Sequence, residues 1–238
     1  MRKDRVGAPW GMVLLVAVFL GGLAERPWTS ARALAASAES DLEEFVDKVQ
    51  AACSNVQDLS ARFHQTVSNR PLGAVQEASG IFLVKRPGKM RWEYQKPEAR
   101  LFVADGKTLW VYSPADRQVL AQGVGEAFAS RLPLAFLAGD CQLRRDFRIS
   151  FIEHAGTRAS PGTKILDLRP VHPEAGISRV LLEVNLQSHI VEKTTLFDAA
   201  ANTTVIALSS VKLNTGLGDQ PFQFTPPPDA TVVSPAKR

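Results

Sequence analysis

Four histidines (His64, His154, His172, His189) and two cysteines (Cys53, Cys141) are the side chains best suited to metal ligation or nucleophilic chemistry. Their spacing supports neither use. No HxxxH or CxxC pattern is present, and there is no Gly-x-Ser-x-Gly elbow. Asp105-Gly106-Lys107-Thr108 resembles the end of a phosphate loop, but Leu101 stands where that motif needs its first glycine. Asp-Gly between two apolar alternating runs reads instead as a hairpin turn. The carboxylates are scattered through turns and polar faces, and no acid pair stands out. Neither an enzyme nor a cofactor is expected.

Arg86 is a different kind of signal. It ends Gly80-Ile81-Phe82-Leu83-Val84-Lys85-Arg86, ahead of a Pro87-Gly88 turn and a second strand from Lys89. Alternation places Phe82, Val84 and Arg86 on one face. An apolar face that ends in a guanidinium is costly unless the charge is hydrogen-bonded or paired. Either Arg86 snorkels at a rim, or it holds another segment in place.

The elements around Arg86 suggest what that segment would be. Ser40 to about Arg62 reads as an amphipathic helix, with Ser40 and Glu43 as a capping box. Strands follow: 75–85, 89–95, 101–104, 108–112 and 118–122. After a break come 147–152, 164–168, 177–186, 190–197, 203–213 and 222–224. Short strands separated by turns argue for an antiparallel meander long enough to curl. The break, 125–139, is helical in pattern, very apolar, and split near Pro133. The expected fold is α+β, with helices covering a curled antiparallel sheet. Phe82, Val84, Met90, Trp92, Tyr94, Leu101 and Val103 are candidates for the cavity wall. Phe128, Leu132, Leu134, Phe136 and Leu137 are candidates for its cover.

The N-terminus carries Arg2, Lys3 and Arg5, then an apolar run from Met12 to Ala24. That run is short for a membrane span, which needs about 20 apolar residues. Residues 1–35 read as a secretory signal, with cleavage near 35–38, and 36–238 as a single domain. An uncleaved anchor is the alternative. Five of the 28 basic residues and two of the 24 acidic ones lie in 1–35. The remainder is nearly neutral, which gives no support for nucleic-acid binding. An exported chain permits a disulfide between Cys53 and Cys141, although two separate buried thiols fit the sequence equally well. Cys53 lies too far beyond the signal to be a lipidated N-terminal cysteine.

Several segments together resemble the LolA family of periplasmic lipoprotein carriers. They are Phe63-His64-Gln65, Gly80 to Pro87, Met90-Arg91-Trp92-Glu93-Tyr94, Asp105 to Tyr112, and Phe222-Gln223-Phe224-Thr225-Pro226-Pro227. The resemblance implies a half-open antiparallel β-barrel under a lid made of the first helix and the kinked insert. It implies that Arg86 is a lid latch, bonded to lid backbone in the closed form. It implies a monomer that carries the acyl chains of triacylated lipoproteins. An inner-membrane Lol ABC transporter would load it, and an outer-membrane acceptor, LolB where present, would unload it. Cys53 and Cys141 depart from the family pattern, and a disulfide between them could tie two lid pieces together. A lipid-binding sensor or regulatory module on a similar sheet is the competing reading.

Overall fold

In a computed structural model of the 238-residue chain, residues 28–125, 141–152, 159–172 and 176–234 are described, with side chains from residue 37 onward. The expected signal region and the insert residues Phe128, Leu132, Leu134, Phe136 and Leu137 lie outside the described residues or their described side chains. Met1–Ala38 and Glu39–Arg238 are separate compact units. All of the sheet belongs to the second. Among the described residues, no helix is long and apolar enough to cross a membrane.

Helix α1 spans Trp28–Asn55 and strand β1 spans Asp58–Asn69. The helix therefore starts earlier and ends earlier than the periodicity of 40–62 predicts. Two patterns overlap there. Phe45, Val46 and Val49 follow the helical period, whereas Ala61 and Phe63 are buried at period two, with exposed Arg62 between them. The boundary is fixed by tertiary bonds. Asp58 accepts backbone bonds from Thr215 and Gly216, each 2.8 Å, and Asn214 Oδ1 accepts from Gln57 N at 2.7 Å.

The remaining strands are β2 (Ala74–Lys85), β3 (Lys89–Lys96), β4 (Arg100–Asp105), β5 (Thr108–Ser113), β6 (Gln118–Gly123), β7 (Phe147–Phe151), β8 (Thr163–Pro170), β9 (Arg179–Asn185), β10 (Val191–Phe197), β11 (Thr203–Leu213) and β12 (Thr231–Val233). A one-turn helix, α2 (Leu143–Asp146), precedes β7. All twelve strands join one sheet in the order β12-β6-β5-β4-β3-β2-β1-β11-β10-β9-β8-β7. Its two edges are β12 and β7, so it is an unclosed barrel. Every pair is antiparallel except β12 on β6. The strand expected at 222–224 is absent. A 3₁₀ turn occupies Gln220–Phe222, because Pro221 lacks the donor a ladder needs.

One face of the sheet carries two apolar clusters. Phe63, Phe82, Met90, Trp92, Ala104 and Leu109 form one. Leu166, Leu168, Val180, Leu182 and Val184 form the other, on which Phe45, Val46 and Val49 of α1 pack. Registers Phe82↔Trp92, Trp92↔Phe102 and Leu182↔Leu166 place these residues on a shared face. At the β2 bulge, Gly80 meets its neighbours closely. A Cβ there would sit 1.8 Å from the Glu93 carbonyl oxygen.

Candidate functional site

The same register corrects part of the expected cavity wall. Val103 lies opposite Arg91, and Leu101 opposite Glu93, so both point away from Met90, Trp92 and Phe82. Phe102 and Ala104 take the inner positions instead. Val103 is nevertheless fully buried. After β11 the chain crosses the outer face, where Phe224 packs on Trp110 and Tyr112 with centroids 5.9 and 5.8 Å away. Asp219 there holds Lys85 and Lys89 at 2.6 and 2.8 Å. Alternation was readable from the strand, but which face lay inside was not, because the cover on the outer face comes from about 110 residues further along the chain.

Phe82, Val84, Met90 and Trp92 are buried, and Tyr94 lies half-buried beside them. Their aromatic rings form a continuous set with Phe63, from the Phe82–Trp92 contact at 4.9 Å to the Phe63–Tyr94 contact at 4.9 Å. Tyr94 donates its hydroxyl to Gln65 Oε1 at 2.7 Å. Burial pushes its ionisation up to about 12, against a smaller opposing pull from Arg100. Trp92 Nε1 is buried with no hydrogen-bond partner among the described residues. Apart from that indole N–H and the Tyr94–Gln65 pair, the wall presents apolar area.

A cavity opens where that wall meets α1. Val49, Cys53, Val56, Leu59, Phe82, Val84, Arg86, His189, Val191 and Leu208 line it, and its volume is about 60 Å³. This is far below the roughly 300–1,000 Å³ typical of occupied ligand pockets. Among the described lining residues, Arg86 and His189 are the polar side chains in an apolar setting. The Arg86 backbone N–H donates to Gln57 O at 2.8 Å. Its guanidinium Nη2 donates to Cys53 O at 3.1 Å and to Cys141 Sγ at 3.1 Å. Of the two alternatives posed by the sequence, the structure places Arg86 in contact with the last turn of α1. His189, which no motif singled out, comes from the β9–β10 turn with φ at 55°. Its ring sits 5.7 Å from that of Phe45.

Cys53 and Cys141 form a disulfide with Cα atoms 5.9 Å apart. That separation is ordinary for such a bond. The bridge continues a line of polar contacts along α1. Arg144 pairs with Asp47 and donates to Glu43 O at 2.7 Å, and Gln50 Oε1 accepts from Arg144 N at 3.3 Å. Glu43, Asp47, Gln50 and Cys53 recur at helical spacing, so one stripe of α1 holds the whole 141–144 segment.

The chain as a whole is similar to known proteins. The family model described as "Outer membrane lipoprotein carrier protein LolA" matches residues 54–225. An outer-membrane lipoprotein carrier protein of Chromobacterium violaceum is 34% identical over 209 residues, covering 87% of this chain and 97% of its own length. One from Bordetella pertussis is 35% identical over 205 residues, covering 86% and 90%. In fold, the chain is similar to the crystal structure of an uncharacterized conserved protein from Thermus thermophilus. The TM-score is 0.53 at 16% identity, over 81% of this chain and 98% of that one. The family match runs from the last turn of α1 through β11 and onto the outer-face crossing, and on that basis the chain belongs to the LolA family of outer-membrane lipoprotein carriers.

Proposed function

We propose that this protein is a periplasmic chaperone. It shields the acyl chains of lipoproteins released from the inner membrane and delivers them to the outer membrane. The observation that carries this reading is the cavity between α1 and the sheet, apolar except for Arg86 and His189 and too small in this state for an acyl chain. Residues 1–35 act as the export signal in this reading, and 36–238 as the carrier domain.

The energetics of the reading follow from chain length. Each buried CH₂ contributes about 0.8 kcal/mol, so a sixteen-carbon chain gains roughly 13 kcal/mol on leaving water. A carrier that kept all of that gain would not release its cargo. Here the empty protein has something to lose on loading. To admit a chain, α1 must move off the wall, which breaks the Arg86–Cys53 bond and exposes Val49. The closed empty state thus competes with cargo and weakens net binding. Arg86 acts as the lid latch in this scheme. Extraction from the inner membrane would be driven by the Lol ABC transporter, and unloading by LolB or an equivalent acceptor. Binding and release need no bond-making chemistry.

Mass spectrometry of the protein purified from its native periplasm tests the proposal. Copurifying triacylated lipoprotein is the expected result. Consistent recovery of free lipid or a signalling partner in its place would overturn the carrier reading.

A further inference from the structure

Arg86 touches the disulfide as well as α1. Its Nη2 lies 3.1 Å from Cys141 Sγ. The two sulfurs are therefore not equivalent. Cys141 is buried at 8% exposure and has a guanidinium beside its sulfur. Cys53 is half-buried and lines the cavity. In thiol–disulfide exchange a thiolate attacks the accessible sulfur, and the better-stabilised thiolate leaves. A neighbouring cation stabilises a thiolate.

We propose that Cys53–Cys141 is a directional thiol–disulfide exchange site, whose partner is a dithiol oxidoreductase that attacks Cys53 and expels Cys141 as a thiolate held by Arg86. In the first step the partner's thiolate forms a bond to Cys53 Sγ. The Cys53–Cys141 bond breaks, and its electron pair leaves on Cys141. In the second step the partner's other thiol gives its proton to solvent and attacks its own sulfur in the mixed disulfide. Cys53 departs as a thiolate and takes a proton from solvent. Two electrons pass from the dithiol to the cystine, and the partner is left with its own disulfide. Reduction would untie Cys141 from the end of α1, leaving the Arg144 contacts to hold that segment. Only this last consequence rests on the carrier reading. The exchange chemistry does not.

The test uses the full mature chain with glutathione as the probe. Stoichiometric reduced glutathione is added, free thiols are capped with an alkylating agent, and the mixed disulfide is located by peptide mass mapping. The adduct is expected on Cys53, and a majority on Cys141 would overturn the proposal. A second measurement follows thiolate ultraviolet absorbance against pH in the single-cysteine variants Cys53→Ser and Cys141→Ser. The remaining Cys141 is expected to ionise at lower pH than the remaining Cys53. Adding Arg86→Gln to Cys53→Ser should cut the Cys141 thiolate fraction at neutral pH on the order of tenfold, the effect of a one-unit change in ionisation. An unchanged titration would overturn the proposal. These readouts are independent of lipid binding, so they separate failure of the exchange site from failure of the carrier reading.

Discussion

Replacing Arg86 by leucine removes the charge from the cavity and leaves a side chain that suits the apolar lining. The Arg86 Nη2 bond to Cys53 O is charge-assisted, and such bonds contribute about 1.5–3 kcal/mol. The low end applies here, because Cys53 O also accepts from Val56 N at 3.2 Å and is not stranded. The sulfur of Cys141 is a weak acceptor and adds little. The closed state then loses about 1.5 kcal/mol, or roughly tenfold in population. This is a lower bound, since Arg86 has further contacts. When the binding-competent open form is rare, apparent affinity scales with its population. Arg86→Leu should therefore bind a fluorescent acyl probe about tenfold more tightly and unload to acceptor vesicles about tenfold more slowly. Probe titration and a vesicle transfer assay measure the two effects, with a thermal melt to establish folding. Unchanged affinity and unloading in a folded variant would refute the latch, as would weaker binding.

Gly80→Ala should destabilise the protein by about 3 kcal/mol, because the new Cβ meets the Glu93 carbonyl, which belongs to the sheet and cannot rotate away. Denaturant unfolding measures this, and a loss under about 1 kcal/mol would show that the β2 bulge relaxes freely. Glu183 links stability to acid. Burial works against its charge, but Lys193, Ser160 and Thr163 outweigh burial and hold its carboxyl at about 2, from an ordinary 4.5. A folded value below the unfolded one stabilises at higher pH, so this contribution is present above about 4.5 and lost as pH falls through about 2. The expected loss is about 3 kcal/mol. Acid unfolding of Glu183→Gln should lack that component, and an acid profile identical to the parent would rule out this role.

Local signals carried much of the fold. The Gly80–Tyr94 hairpin and the Asp105-Gly106 turn are written in neighbouring residues. Asp105 Oδ1 accepts from Lys107 N and Thr108 N, each at 2.8 Å. The shared face of Phe82, Val84 and Arg86 needed nothing beyond strand parity. Distant parts of the chain decided the rest. The end of α1 depends on Asn214 and Thr215, more than 150 positions away. Leu101 and Val103 looked like cavity wall because an apolar strand buried on both faces has no polar side to set its phase. The cysteine pairing was open for a related reason, since spacing alone does not give the distance between Cys53, near the end of α1, and Cys141, 88 positions away.

The seam between β1 and β11 has a consequence for biogenesis. In the sheet order, β2 to β6 extend one way from β1, while β11 to β7 extend the other way. Each side is a run of local hairpins, but Phe63 meets Leu208 only when the two runs are joined. Such distant pairing makes folding slow relative to hairpin formation. A chain emerging from an export channel, amino end first, would already display the aromatic half of the wall while its partner strand was still inside. On the export route proposed above, the nascent carrier would itself be an exposed apolar surface, gaining its cavity only when nearly the whole chain had crossed.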